Sequence, residues 1–103
     1  MAVQDTNVYD VGQEVRSTVV FAVSGVDTDP TVVIFRYRDP SGNVTSSTFG
    51  VPGSIVVNDS VGNYHADWIL DEEGRWYYRW EGTGAVDAAA EHNLEVRDSL
   101  FTP

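Results

Sequence analysis

Two consecutive stretches alternate apolar and polar residues without a break, and this pattern constrains the fold more than any other feature. In residues 63–70, Tyr64, Ala66, Trp68 and Leu70 take one side while His65 and Asp67 take the other. In residues 75–81, Trp76, Tyr78 and Trp80 oppose Arg75, Tyr77 and Arg79. A period of two marks a strand with one buried face; a helix, with 3.6 residues per turn, would scatter the same residues around its surface. The turn Asp71-Glu72-Glu73-Gly74 separates the two strands.

The same period recurs along the chain. After a weaker strand at 7–11, residues 15–23 place Val15, Val19, Phe21 and Val23 on one face, and 25–30 form a turn-rich connection. Residues 31–38 set Val33, Phe35 and Tyr37 against Arg36 and Arg38. In Asp39-Pro40-Ser41-Gly42-Asn43, proline presets φ and glycine accepts positive φ, so a hairpin returns along 44–49. A break at 50–53, a short strand at 54–57 and a turn at 58–62 follow. After a loop at 82–87, residues 88–96 put Ala90, His92, Leu94 and Val96 on one side; the alanine run at 88–90 is too short to hold a helix. Seventeen Val, eight Thr and twelve aromatics against three Leu and one Met suit strands. Seven or eight short strands in 103 residues predict one all-β domain over 1–103, an antiparallel β-sandwich with short flexible ends at 1–5 and 99–103.

Charge narrows the function. The net charge is −10, and all six basic residues are arginines. A nucleic-acid partner needs a positive footprint, so such a balance argues against one and favours solubility or a positively charged partner. No apolar stretch is long enough to span a bilayer as a helix, no secretory signal is visible near Met1, and cytoplasmic synthesis is expected. Without cysteine there is no disulfide, thiolate site or cysteine nucleophile.

Motifs for catalysis are not visible: the sequence offers no phosphate loop, no nucleophile elbow and no paired-carboxylate cleft. No cofactor and no catalytic residue are expected. Alternation puts His65 and His92 on opposite faces, which argues against a shared metal, and makes His92 a buried or interfacial histidine. Asp27 with Asp29, and Asp71 with Glu72 and Glu73, have the oxygen chemistry of calcium ligands but also read as solvated acidic turns. Trp68, Trp76, Tyr78 and Trp80 have the composition of a sugar-stacking platform, but alternation assigns them to the core.

Leu70-Asp71-Glu72-Glu73-Gly74-Arg75-Trp76-Tyr77-Tyr78 resembles the corner between the fifth and sixth strands of an immunoglobulin-like sandwich. A longer ordered series runs from Asp29-Pro30-Thr31 through Arg38-Asp39-Pro40-Ser41-Gly42-Asn43-Val44-Thr45 and Gly62-Asn63-Tyr64-His65-Ala66-Asp67. It continues through Gly74-Arg75-Trp76-Tyr77-Tyr78-Arg79-Trp80-Glu81-Gly82-Thr83-Gly84 to Val96-Arg97-Asp98-Ser99. That series is similar to small Ig-like structural proteins of the head and connector gene region of tailed bacteriophages. The resemblance implies an Ig-like sandwich in the virion, with a structural, non-enzymatic role. It implies a capsid decoration or cement protein, on the capsid surface and bound to the major capsid protein. Within the same class the place is a head–tail connector or the tail, among neighbouring virion proteins, with a homo-oligomer on the particle as a further arrangement. A carbohydrate-binding module is the reading from another class.

In an Ig-like sandwich the third and sixth strands are neighbours, and the last lies beside the sixth. Arg36 and Arg38 then share an outer face with Arg75, Tyr77 and Arg79. Arginine and tyrosine suit interface centres, so this face is expected to dock onto an acidic or carbonyl-rich partner. The competing expectation is that these arginines pair across strands with Glu81, Glu91 and Glu95. Leu100 and Phe101 form an apolar tail that either docks into a neighbour or folds back over its own sheet edge.

Overall fold

The computed structural model describes residues 8–98. The described residues form ten strands and no helix. These are β1 (Val8–Asp10), β2 (Glu14–Val20), β3 (Ala22–Val23), β4 (Val26–Asp27) and β5 (Val32–Arg38). β6 (Val44–Thr48), β7 (Val56–Ser60), β8 (Asn63–Ile69), β9 (Gly74–Thr83) and β10 (Ala88–Arg97) follow. One sheet has five strands in the order β1-β10-β9-β5-β6, with β1 parallel to β10. A second has three in the order β2-β8-β7, and β3 with β4 forms a small ribbon.

Alternation sends one face of each larger sheet into a common core. From the five-stranded sheet come Val33, Phe35, Trp76, Trp80, Leu94 and Val96, all buried. From the three-stranded sheet come Val15, Ala66, Trp68, Tyr64 and Val56. Phe35, fully buried, sits at the centre, its ring centroid 4.7 Å from Trp80 and 5.1 Å from Trp68. Tyr37 stacks on Trp68 at 5.5 Å with planes 15° apart. Tilted and offset aromatic pairs of this kind add to the gain from burial alone. One polar link crosses this core: the Trp80 indole donates to the Ser17 hydroxyl at 2.9 Å.

The expected strand at 15–23 is interrupted. Ser24 and Gly25 both adopt positive φ (51° and 80°), the requirement of a tight two-residue hairpin, so β3 folds straight back onto β4. Val23, expected on the core face, is therefore exposed. His92 also departs from expectation. It does lie on the inward-facing side of β10, against the Tyr78 ring at 5.5 Å, but it is exposed. Full burial on that side begins only at Leu94; β1 pairs only with Glu95–Arg97, so the first half of β10 is an open edge.

Two carboxylates with the chemistry of cation ligands serve the fold instead. Asp29 accepts from the Gly62 amide at 2.7 Å and from the Tyr64 hydroxyl at 2.9 Å, tying the β4–β5 connection to the turn before β8. Glu72 accepts from the Ser41 hydroxyl and amide, tying the turn before β9 to the β5–β6 turn. Among the described residues no group of three or more histidine, aspartate or glutamate side chains is placed to hold a metal ion.

Candidate functional site: the outer face of the five-stranded sheet

β5 and β9 pair antiparallel in a register that sets Arg36 opposite Arg79 and Arg38 opposite Tyr77. β10 adds Glu91 beside Arg79, Asn93 beside Tyr77 and Glu95 beside Arg75. On the other flank, β6 brings Ser46 to Arg36 and Val44 to Arg38. Cross-strand partners share a face, so Arg36, Arg38, Arg75, Tyr77 and Arg79 are assembled on one surface, directed away from the core. Arg97, which the sequence reading left out, joins them at the far edge and bonds Asp10 of β1 at 2.5 Å. Five of the six arginines thus lie on this face with only four of the fifteen acids among the described residues, Asp10, Glu81, Glu91 and Glu95. Among the described residues the other eleven acids are accompanied by Arg16 alone, which pairs with Asp67.

Most of these arginines are already engaged. Glu81 receives Arg36 at 3.1 Å and Arg79 at 2.8 Å, while Arg79 also reaches Glu91 at 3.3 Å. Arg75 bonds Glu95, and Arg36 donates to the Ser46 hydroxyl at 2.8 Å. The Glu81 carboxyl is held below its ordinary value by the hydrogen bond from Arg36 first and from Arg79 next. Cross-strand pairing with Glu81, Glu91 and Glu95 therefore accounts for three of the four arginines singled out from the sequence. Partly exposed pairs of this kind contribute little to stability.

Arg38 is the exception. Among the described residues its guanidinium has no carboxylate partner and no side-chain hydrogen bond. It borders a shallow cleft of about 310 Å³ whose walls are Arg36, Val44, Tyr77, Arg79 and Glu91, with Tyr37 and Tyr78 at the floor. Tyr77 is 41% exposed, a flat aromatic beside an unoccupied fork of N–H donors. An arginine so placed can take a carboxylate or a pair of carbonyls in bidentate fashion, with the phenol ring packing alongside. Val44 was not foreseen as a wall of this site; the signal was the register of the Asp39–Asn43 hairpin, which puts Val44 across from Arg38.

The other sequence-stated candidates fall elsewhere. Leu100 and Phe101 lie outside the described residues. Trp68, Trp76 and Trp80 are 4%, 1% and 1% exposed, so they present no platform to solvent. No known protein family, curated protein or solved structure matches the chain.

Proposed function

We propose that this chain is a non-enzymatic structural domain of a bacteriophage particle, an Ig-like β-sandwich that decorates the capsid surface. It docks on the major capsid protein, or on a neighbouring virion protein, through the outer face of its five-stranded sheet. The observation that carries the reading is the segregation of charge. A chain of net charge −10 gathers five of its six arginines on one sheet face and leaves Arg38 there unpaired beside exposed Tyr77. Arginine and tyrosine in one patch are what an interface centre uses.

The Ig-like reading is supported by strand order. Sheets ordered β2-β8-β7 and β10-β9-β5-β6 follow the B-E-D and G-F-C-C′ arrangement of immunoglobulin domains. In those domains a tyrosine near the start of the sixth strand bonds a main-chain group a few residues upstream. Here Trp76 takes that place, donating its indole N–H to the Glu72 carbonyl at 2.9 Å. The bond from Trp80 on β9 to Ser17 on β2 joins the same two strands that the immunoglobulin disulfide links.

Counting this chain against the major capsid protein by mass spectrometry of purified phage particles tests the assignment. A ratio near a simple fraction of the capsid copies is expected. A handful of copies per particle would move the domain to the connector or tail, and absence from particles would overturn the reading.

A further inference from the structure

Charge is missing from one continuous stretch of this heavily charged chain. Residues 40–58 contain no Asp, Glu, Arg, Lys or His, although charged residues make up 21% of the sequence. That stretch holds all of β6, the edge strand of the five-stranded sheet, and the start of β7, an edge of the three-stranded sheet. Soluble β proteins usually guard an edge with charge, proline or a bulge. β6, Val44-Thr45-Ser46-Ser47-Thr48, has none of these and pairs with β5 in unbroken register.

The hydrogen bonds show which main-chain groups this edge leaves open. Phe49 donates to the Val33 carbonyl at 2.9 Å, and Asp39 donates to the Asn43 carbonyl at 3.0 Å. In an antiparallel ladder the bonding alternates, so residues 43, 45, 47 and 49 face β5 while Val44, Ser46 and Thr48 direct their N–H and C=O groups outward. The Thr48 carbonyl is met by the Val51 amide at 3.2 Å. The N–H and C=O of Val44 and of Ser46, and the Thr48 N–H, remain an open template.

We infer that β6 pairs antiparallel with β6 of a second copy of this chain, with Ser46 on the two-fold axis, joining two five-stranded sheets into one. The choice of occupant follows from charge and symmetry. Two bodies of charge −10 repel, and the longest uncharged stretch of the sequence lies along this edge. An antiparallel pair centred on Ser46 is self-complementary, as a two-fold interface requires. Ser46 exchanges both bonds with its counterpart, and Val44 meets Thr48 of the other copy. The seam also covers Val44, which is 59% exposed in the single chain, and brings no like charges into register. On the docking reading above, the dimer presents two Arg38 clefts on one continuous surface, but the pairing itself does not depend on that reading.

Sedimentation velocity of the purified chain over a concentration series tests this, with two edge variants. Ser46→Pro removes an N–H that points away from β5, a position where an edge strand tolerates proline, together with the exposed hydroxyl that accepts from Arg36. Val44→Pro removes a second outward-pointing N–H of the same edge without touching the core. The wild type is expected at twice the 11.3 kDa chain mass, with dissociation that weakens as salt is raised. Both variants are expected as monomers with unchanged near-UV circular dichroism. A wild type that stays monomeric throughout the series overturns the inference, as does a dimer that survives both substitutions.

Discussion

Arg36 and Arg79 stand directly opposite each other across the β5–β9 pair, and both hydrogen-bond the same carboxylate, Glu81. Like charges in register destabilise a sheet. Glu81, two residues beyond Arg79 on the same face, turns that repulsion into a three-membered network. The network fixes two of the three guanidiniums around the cleft and leaves Arg38 free to meet a partner. Charge reversal at Arg36 and Arg79 would therefore place new carboxylates against Glu81 and damage the fold, whereas reversal at Arg38 tests docking alone.

Glu81→Gln should uncover the Arg36–Arg79 repulsion and lower stability by about 1 kcal/mol, since the pairs are partly exposed. Urea unfolding at neutral pH measures the loss. The sign on the acid side follows from the same contacts. Glu81 and Asp67 are both held below their ordinary values of 4.5 and 3.8, by Arg36 with Arg79 and by Arg16 respectively. Their contribution is present above those values and is lost as pH falls through the lower folded-state values. The wild type should lose stability progressively below about pH 4.5, and Glu81→Gln should flatten that decline.

Ser17→Ala removes the acceptor of the indole of Trp80, a residue only 1% exposed. A buried donor left unpaired costs about 1–3 kcal/mol. Thr18→Ala, one residue along on the exposed side of β2, should change stability by less than about 0.5 kcal/mol. Paired denaturation curves separate the two.

Alkaline pH should destabilise the protein through Tyr64. Burial first, and the hydrogen bond to Asp29 next, push its hydroxyl up to about 12 from 10.0. The folded state keeps the proton where the unfolded chain releases it. Stability is thus intact below pH 10 and falls between 10 and 12, by at most about 1.4 kcal/mol per pH unit from this group. Tyr64→Phe should lower stability at neutral pH and reduce the slope above pH 10, read by denaturant titration at several pH values.

Gly62→Ala should be among the costliest single-methyl changes in the chain. Gly62 has φ +76°, and a Cβ there would lie 2.5 Å from the Phe21 carbonyl oxygen and 2.8 Å from the Thr28 nitrogen. Those two atoms are hydrogen-bonded to each other at 2.9 Å, so the backbone has no room to give. A loss of roughly 3 kcal/mol is expected in thermal or urea unfolding. Gly12→Ala, at φ +91° but in open space, should cost only the backbone strain, about 1–2 kcal/mol.

Period-two alternation made the all-β character and the makeup of the arginine face legible before any coordinates. Arg36, Arg38, Arg75, Tyr77 and Arg79 each alternate with a core residue, so their common exposure needed only the pairing of β5 with β9. What alternation cannot convey is the lateral register and how far each strand is flanked by a neighbour. The freedom of Arg38 and the closure of Glu81 on two arginines depend on the first. The exposure of His92 depends on the second, since it lies on the open edge of β10 that β1 does not reach. The Ser24–Gly25 hairpin was hidden by the apolar run through Val23, because a serine at positive φ has no strong sequence signal. Asp29 had the composition of a cation ligand, and only the fold shows it spent on Gly62 and Tyr64.

Docking through the Arg38 cleft is tested most directly by cosedimentation with phage capsids, comparing the wild type with Arg38→Glu and Tyr77→Ala. Neither residue contributes to the core, so both variants should retain the wild-type unfolding curve. The wild type is predicted to pellet with the capsids and both variants to remain largely in the supernatant. Equal pelleting of all three, or no pelleting of the wild type, would contradict the assignment of this face as the docking surface.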